Sequence, residues 1–234
     1  MKSVNNLVDL LMYQLANLHS VEEQILHAIP SIVEKANHTS VKNTLKHHAS
    51  LTTQQKERLT QIPELIKAKL AGTSISEVDR LDMSFTSQGM MGLIEEINQL
   101  LESELSNEVK DAAIIASVQK IEHYEICAYG TAVAYAKQLN LPQVAALLNE
   151  TLQEEYDADD LLTALATAAI NKEGLPEGLE TRNDTREEKD VDATNQDQET
   201  EHTIVSISER TINSPGGRAG TSHRRYGTGE SRGH

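Results

Sequence analysis

Apolar residues recur at alternating steps of three and four along four long segments of this chain, which is the spacing of one face of an α-helix. The segments span residues 4–35, 41–70, 111–140 and 142–171. Only a few residues separate the first segment from the second and the third from the fourth, so each pair should fold into an antiparallel hairpin. The pattern therefore predicts an all-α fold, a four-helix bundle made of two hairpins.

The stretch between the two hairpins, residues 72–107, should form a crossover connection. Within it, the segment MMGLIEEINQLLESE has an apolar side and predicts a shorter helix. Pro30 is expected to distort the first long helix near its end and Pro63 to interrupt the second, because proline removes a helical hydrogen bond. Asn140 followed by Pro142 predicts the end of the third long helix and the start of the fourth.

The composition changes sharply after Gly174, where the chain becomes charged and polar with almost nothing to bury. We therefore expect residues 1–171 to form the folded domain and residues 172–234 to form a disordered polar tail. The end of the tail is rich in Gly, Ser and Arg. A solubilising role is the simplest interpretation, and contact with nucleic acid, with acidic lipid or with the acidic bundle is the alternative.

The chain is strongly acidic, with a formal net charge of −15. This balance argues against a dedicated nucleic-acid-binding protein, because phosphate affinity depends on clustered Lys and Arg. Cys127 is the only cysteine, which excludes an intrachain disulfide and favours a reducing compartment. No segment approaches the roughly 20 apolar residues of a membrane span, and the N-terminus lacks the pattern of a secretory signal. We therefore expect a cytoplasmic protein that does not enter a membrane.

Acidic residues interrupt the apolar stripes of three of the four long helices. They are Glu22 in the first, Glu122 and Glu125 in the third, and Glu155 in the fourth, with Asp159 one helical turn beyond Glu155. An ionised carboxylate in a bundle core costs several kcal/mol unless it is paired or binds a cation. Carboxylates that face one another on four helices are typical of di-iron or di-manganese sites. The set therefore predicts an iron or manganese site, and the alternative is that these acids lie at the edges of their stripes.

The second long helix matches this pattern least. A full site of this kind takes a Glu-x-x-His pair from each of two helices, whereas the inner face of the second helix offers His48, Thr52 and Gln55. His48 is a candidate metal ligand, and a buried, hydrogen-bonded core histidine is an equal alternative. His123 points to a neighbouring face and is a candidate hydrogen-bond partner for a ligand.

The run QKIEHYEICAYGTAVAYA and the later run LLNETLQEEYDADDLLTALA closely resemble the second hairpin of the YciE/YciF family of ferritin-like proteins. The segments LHSVEEQILHAIPSI and MMGLIEEINQLL are similar to the first helix and the crossover helix of that family. The resemblance covers about residues 4–170 and implies a ferritin-like four-helix bundle, a homodimer and a bacterial stress-associated role. It also implies that five acidic residues occupy metal-site positions: Glu22, Glu122, Glu125, Glu155 and Asp159.

The second long helix departs from the family that the chain resembles. Family members show His-Leu-Glu-Glu-Thr there and a later histidine, whereas this chain reads HHASLTTQQKERL. Ser50 and Leu51 replace the two glutamates, and Thr53 and Gln55 stand where the later histidine is expected. A single-metal site, a weak site and a metal-free polar core are therefore all open.

Three functions are consistent with these features. The first is a metal-binding stress protein with a partly degenerate di-metal carboxylate site, for which any oxidase or peroxide-consuming activity is left open. The second is a non-catalytic bundle dimer whose polar core is metal-free and hydrogen-bonded. The third and least favoured is a nucleic-acid-associated protein that acts through its Arg-containing tail.

Overall fold

The computed structural model describes residues 4–72, 84–176 and 178–179. The predicted disordered tail, from residue 180 onward, lies outside these described residues. The helices are α1 (Leu7–Lys35), α2 (Thr39–Leu70), α3 (Gln88–Leu101), α4 (Asn107–Gln138), α5 (Pro142–Leu165), a π-helical turn (Ala166–Ile170) and α6 (Asn171–Glu173). All regular secondary structure in this part of the chain is helical, which confirms the all-α prediction. Within the same residues, no helix combines the length and the apolar character needed to cross a membrane.

The four long helices form a bundle in which each contacts two of the others. α1 packs against α2 and α4, and α5 packs against α4 and α2. Asn37 and His38, in the turn between α1 and α2, donate their backbone N–H groups to the buried carboxylate of Asp111, at 2.8 and 2.9 Å. The end of α1 therefore meets the start of α4, and these two helices run antiparallel. The crossover that contains α3 returns the chain to this end of the bundle.

The junction between α4 and α5 follows the sequence prediction. α4 ends at Gln138, Asn140 adopts a left-handed backbone conformation with φ of 55°, and Pro142 is the first residue of α5. Asparagine tolerates this conformation better than most residues, and proline lacks only an N–H group that the first helical turn does not use.

The structure corrects two of the predictions about the helices. α4 begins at Asn107, earlier than the predicted start at residue 111, because the Ser106 hydroxyl caps it by accepting from the backbone N–H of Val109. α2 continues through Pro63 to Leu70, so the expected interruption is wrong. Proline removes one hydrogen bond from the ladder, and the fully buried side chains on either side of it, Ile62 and Ile66, hold the helix in place.

Two apolar clusters fill the bundle, and the predicted acidic positions fall between them along α1, α4 and α5, as His48 does along α2. Members of the first cluster include Ile25, Leu45, Val118 and Leu162. Members of the second include Leu18, Leu59, Ala128 and Leu152. Burial of each large aliphatic side chain contributes about 1.5–3 kcal/mol. The two clusters therefore offset the free-energy cost of holding a layer of acids away from water.

Candidate metal centre

Five of the six predicted site residues lie in one buried layer between the two apolar clusters. They are Glu22 from α1, His48 from α2, Glu122 and Glu125 from α4, and Glu155 from α5. The four glutamates are fully inaccessible to solvent, and His48 is 5% exposed. Glu122 and Glu125 share one face of α4 because residues three apart on a helix lie side by side. We call this set the acid layer, and ligation of a metal by its members stays a prediction.

Within the acid layer, His48, Glu122 and Glu125 form what we call the unpaired group. One potential ligand atom from each lies within 4.8 Å of the others. Both carboxylate oxygens of each glutamate and both ring nitrogens of His48 are buried without a hydrogen-bond partner among the described residues. His48 Nδ1 approaches Glu122 Oε1 only to 3.4 Å, which is long for a hydrogen bond. The carboxylate oxygens and ring nitrogens of this group therefore lie close together, as the ligand atoms of a bound cation do.

The two remaining glutamates of the layer each accept a hydrogen bond, and with their donors we call them the paired group. The Tyr129 hydroxyl donates to Glu22 Oε1. The Gln55 side-chain amide donates through Nε2 to Glu155 Oε1 at 2.6 Å. The second oxygen of each glutamate, Oε2, is buried without a partner among the described residues. Each of these glutamates therefore retains one free ligand atom.

An ion pair between Arg58 and Glu154 borders the paired group. Arg58 donates through Nη1 to Glu154 Oε2 at 2.7 Å and through Nη2 to Oε1 at 2.5 Å. Arg58 Nη1 also donates to the Thr151 hydroxyl at 2.8 Å. This bidentate geometry is among the stronger hydrogen-bonding arrangements in proteins. Glu154 is therefore held by the guanidinium and is not available to the acid layer as a ligand.

The carboxylate of the sixth predicted site residue, Asp159, has its partners outside the unpaired group. Its Oδ1 accepts from Gln119 Nε2 at 3.0 Å, and its Oδ2 lies 3.6 Å from His123 Nε2. The Asp159 side chain is 19% exposed and that of His123 is 67% exposed. The structure therefore places His123 at the protein surface and Asp159 partly buried beside the layer.

A pocket of about 30 Å³ borders the unpaired group between α2, α4 and α5, and its lining includes His48, Leu51 and Glu122. This volume is large enough to admit at least one water molecule. Ser50 is exposed. The YciE/YciF family carries glutamate at the positions of Ser50 and Leu51. Of these two positions, Leu51 therefore faces the candidate centre.

Burial sets the protonation of the whole layer. It raises the pKa of Glu22, Glu122 and Glu125 well above the usual range, and the neighbouring Glu155 carboxylate raises these values further. A hydrogen bond that protonated Glu122 can donate to Glu155 adds to the rise in the pKa of Glu122. Burial also raises the pKa of Glu155 to about 7. It lowers the pKa of His48 to about 4, so this imidazole is neutral near pH 7. A cation entering the layer would displace protons from carboxyl groups and would meet a histidine that is ready to ligate.

The roles of two side chains, one that donates to the layer and one that lies beside it, were not identified from the sequence. Tyr129 belongs to the third apolar stripe, and its hydroxyl was not assigned a role. Because it follows Glu125 by one helical turn, helical spacing alone could have placed that hydroxyl near the acids. Arg58 follows Gln55 by three residues, and the same spacing could have placed it beside the layer.

Comparison with known proteins gives one family model and one curated relative. The model is described as a domain of unknown function, DUF892, and it matches residues 6–174. The curated relative is YciF from Escherichia coli, which is 35% identical over 170 residues, covering 73% of this chain and 96% of YciF.

Solved structures give the same result. The crystal structure of the E. coli stress protein YciF has a TM-score of 0.63 and 36% identity, covering 72% of this chain and 99% of that one. YcfI from Rhodopseudomonas palustris, described as a candidate structural protein, has a TM-score of 0.61 and 30% identity, covering 69% of this chain and 96% of that one. These likenesses agree with the resemblance that the sequence motifs carry.

Proposed function

This chain belongs to the DUF892 family and is a relative of the stress protein YciF, and we propose that it is a stress-associated protein that binds iron or manganese in its acid layer. The ligand atoms come from the unpaired group, His48, Glu122 and Glu125, and from the free oxygens of Glu22 and Glu155. Asp159 stays outside this set. When bound, the metal supplies positive charge and Lewis acidity to an otherwise closed core.

The observation that carries this proposal is the absence of hydrogen-bond partners, among the described residues, for both polar atoms of each member of the unpaired group. A buried polar atom without a partner costs about 1–3 kcal/mol. Several such atoms at one place would together cost a substantial part of the roughly 5–15 kcal/mol by which a typical domain is stable. A bound cation removes this cost because it uses the same lone pairs.

The donor set suits iron or manganese better than calcium or magnesium. Carboxylate oxygens together with a neutral imidazole suit these ions, whereas calcium and magnesium prefer oxygen ligands alone. A thiolate site for zinc is not supported, because Cys127 is exposed and is not among the clustered ligand residues.

Anaerobic titration of the metal-free protein with Fe(II) and with Mn(II) tests the proposal. We expect saturable binding in the wild type and its loss in Glu122→Ala. The matched control is Glu95→Ala, which removes an exposed acid from α3 and should leave binding unchanged. Absence of bound metal in the wild type would refute the proposal, and binding that survives Glu122→Ala would exclude the acid layer as its site.

A metal-free structural bundle is the second candidate, and the paired group favours it. Tyr129 and Gln55 already satisfy one oxygen each of Glu22 and Glu155. The raised pKa values of the four glutamates would keep the layer mostly protonated without a cation. The same titration separates the two candidates, since a structural bundle takes up no metal.

The family resemblance also supports a homodimer, which we include in the proposal. Sedimentation equilibrium of the purified full-length chain tests it. A mass of twice the chain mass of 25.8 kDa is expected, and the mass of one chain would contradict it.

A further inference from the structure

We propose that the acid layer holds one cation per chain, bound by the unpaired group, and that the Gln55 side-chain amide occupies the place of a second cation. This inference rests on the proposed function, because it concerns how the same residues divide. It assigns Gln55 as the residue that limits the number of metals.

The position of the Gln55 amide between two carboxylates is the first support. Nε2 donates to Glu155 Oε1 at 2.6 Å and to Glu154 Oε2 at 3.1 Å. A single N–H₂ group thus bridges two acids, one from the layer and one from the ion pair with Arg58. Bridging two carboxylates is what a metal cation does in a two-metal site. An amide nitrogen in this role satisfies the oxygens as a donor and cannot itself bind a metal.

The inner face of α2 supplies the second support, because it offers one ligand where a two-metal site needs more. Positions 48, 51, 52 and 55 share this face by helical spacing. Leu51 has no ligand atom, and the Thr52 hydroxyl donates to the backbone carbonyl of His48 at 2.9 Å. The carbonyl oxygen of Gln55 has no partner among the described residues and can serve only as a weak neutral ligand. His48 is therefore the one strong ligand that α2 provides.

The third support is the difference in hydrogen-bond partners between the paired and unpaired glutamates of the layer. Glu22 and Glu155, which lie with Gln55 and Tyr129, each have one oxygen taken by a protein donor. Glu122 and Glu125, which lie with His48, have no tyrosine or amide donor on any of their four oxygens among the described residues, and the one acid that can share a proton with Glu122 is Glu155. Protein donors have replaced a cation on one side of the layer only.

Metal counting on the full-length protein tests the inference. Metal-free protein is loaded anaerobically with excess Mn(II), dialysed and analysed for manganese per chain. We expect one ion in the wild type and two in Leu51→Glu/Gln55→His, which supplies a carboxylate and an imidazole on the inner face of α2. The matched control Thr53→His places an imidazole on the exposed side of the same helix and should stay at one.

The outcomes separate this inference from the proposed function. No ion in the wild type would refute the proposed function itself. Two ions in the wild type, or one ion in a correctly folded double variant, would refute the role of Gln55 and leave metal binding intact. If the double variant does not fold, the electron paramagnetic resonance spectrum of Mn(II) in the wild type decides: the hyperfine pattern of an isolated ion supports the inference, and the spectrum of a coupled pair overturns it.

Discussion

The paired and unpaired groups of the acid layer are equally buried, yet they differ in what their oxygens contact. Glu22 and Glu155 accept from Tyr129 and Gln55, whereas Glu122 and Glu125 have no hydrogen-bond donor among the described residues. Burial alone therefore does not distinguish a metal ligand from a structural acid. The presence or absence of a protein donor does, because a buried lone pair needs one partner, either a hydrogen or a cation.

The largest expected effect on Mn(II) affinity comes from replacing one carboxylate, and it should differ between the unpaired and the paired group. Glu125→Gln should weaken Mn(II) binding by more than about 100-fold, because it removes a charged ligand whose oxygens have no other partner. Glu22→Gln should weaken it by about tenfold or less, because the amide oxygen can still accept from Tyr129. Isothermal titration calorimetry at one pH measures both. Equal losses would show that the two groups do not differ in function.

The next effect is a pH dependence that comes from the protons held by the layer. Because the pKa of Glu155 is raised to about 7 and those of the other three glutamates are raised well above their usual range, a cation must displace protons to bind near neutrality. His48, with a pKa lowered to about 4, contributes no proton in this range. The dissociation constant for Mn(II) should rise about tenfold per unit fall in pH for each proton displaced.

Titrations between pH 6 and 8, with proton release followed in weak buffer, check this dependence. The cation-free fold should show the opposite trend in stability. A carboxyl group whose pKa is raised by folding contributes stability that is fully present below its unfolded pKa. This contribution is lost as the pH rises towards the folded pKa. For Glu155 the loss occurs between pH 4.5 and about 7. His48 acts in reverse, because its folded pKa is lowered from 6.5 to about 4, so its contribution is lost as the pH falls through that window. A flat affinity profile would contradict protonation of the layer.

A smaller effect should separate the structural from the metal-binding role of the paired group. Glu22→Leu/Tyr129→Phe removes a buried acid together with its donor, so it leaves neither without a partner, and should stabilise the metal-free fold by about 1–3 kcal/mol. Tyr129→Phe alone should destabilise it by about 1 kcal/mol, because Glu22 loses its hydrogen bond. Urea unfolding of metal-free protein measures both. Destabilisation by the double change would show that the Glu22–Tyr129 pair stabilises the fold more than apolar packing can.

Saturating Mn(II) should reduce the gain of the double variant. A cation that binds the folded state stabilises it by an amount that grows with the logarithm of its affinity, and the variant lacks one free oxygen of the layer. A gain that is unchanged by Mn(II) would place Glu22 outside the metal site and leave the unpaired group as the whole of it.

Most of the fold was predictable because apolar spacing specifies helices and their inner faces. The same spacing predicted that Glu22, Glu122, Glu125 and Glu155 are buried, since each replaces an apolar residue in a stripe. It did not predict which acids are paired, because helical periodicity gives the face of a residue and not the position of its terminal atoms. The Gln55 amide contacts residues about a hundred positions away, on α5, and only the packing of α2 against α5 brings them together.

Asp159 lies beside the acid layer and belongs to neither group, so its substitution should have the smallest effect on Mn(II) affinity. It matches an acidic metal-site position of the resembling family, yet here its carboxylate accepts from Gln119 and lies near the exposed His123. Asp159→Asn keeps a hydrogen-bonding side chain of the same size, so it should change Mn(II) affinity by less than about twofold, the effect of one screened charge near the surface. The calorimetric titration used for Glu125→Gln measures it under the same conditions. A loss as large as that of Glu125→Gln would mean that Asp159 turns inward when metal binds, and the metal site would then extend from the acid layer to the surface of α5.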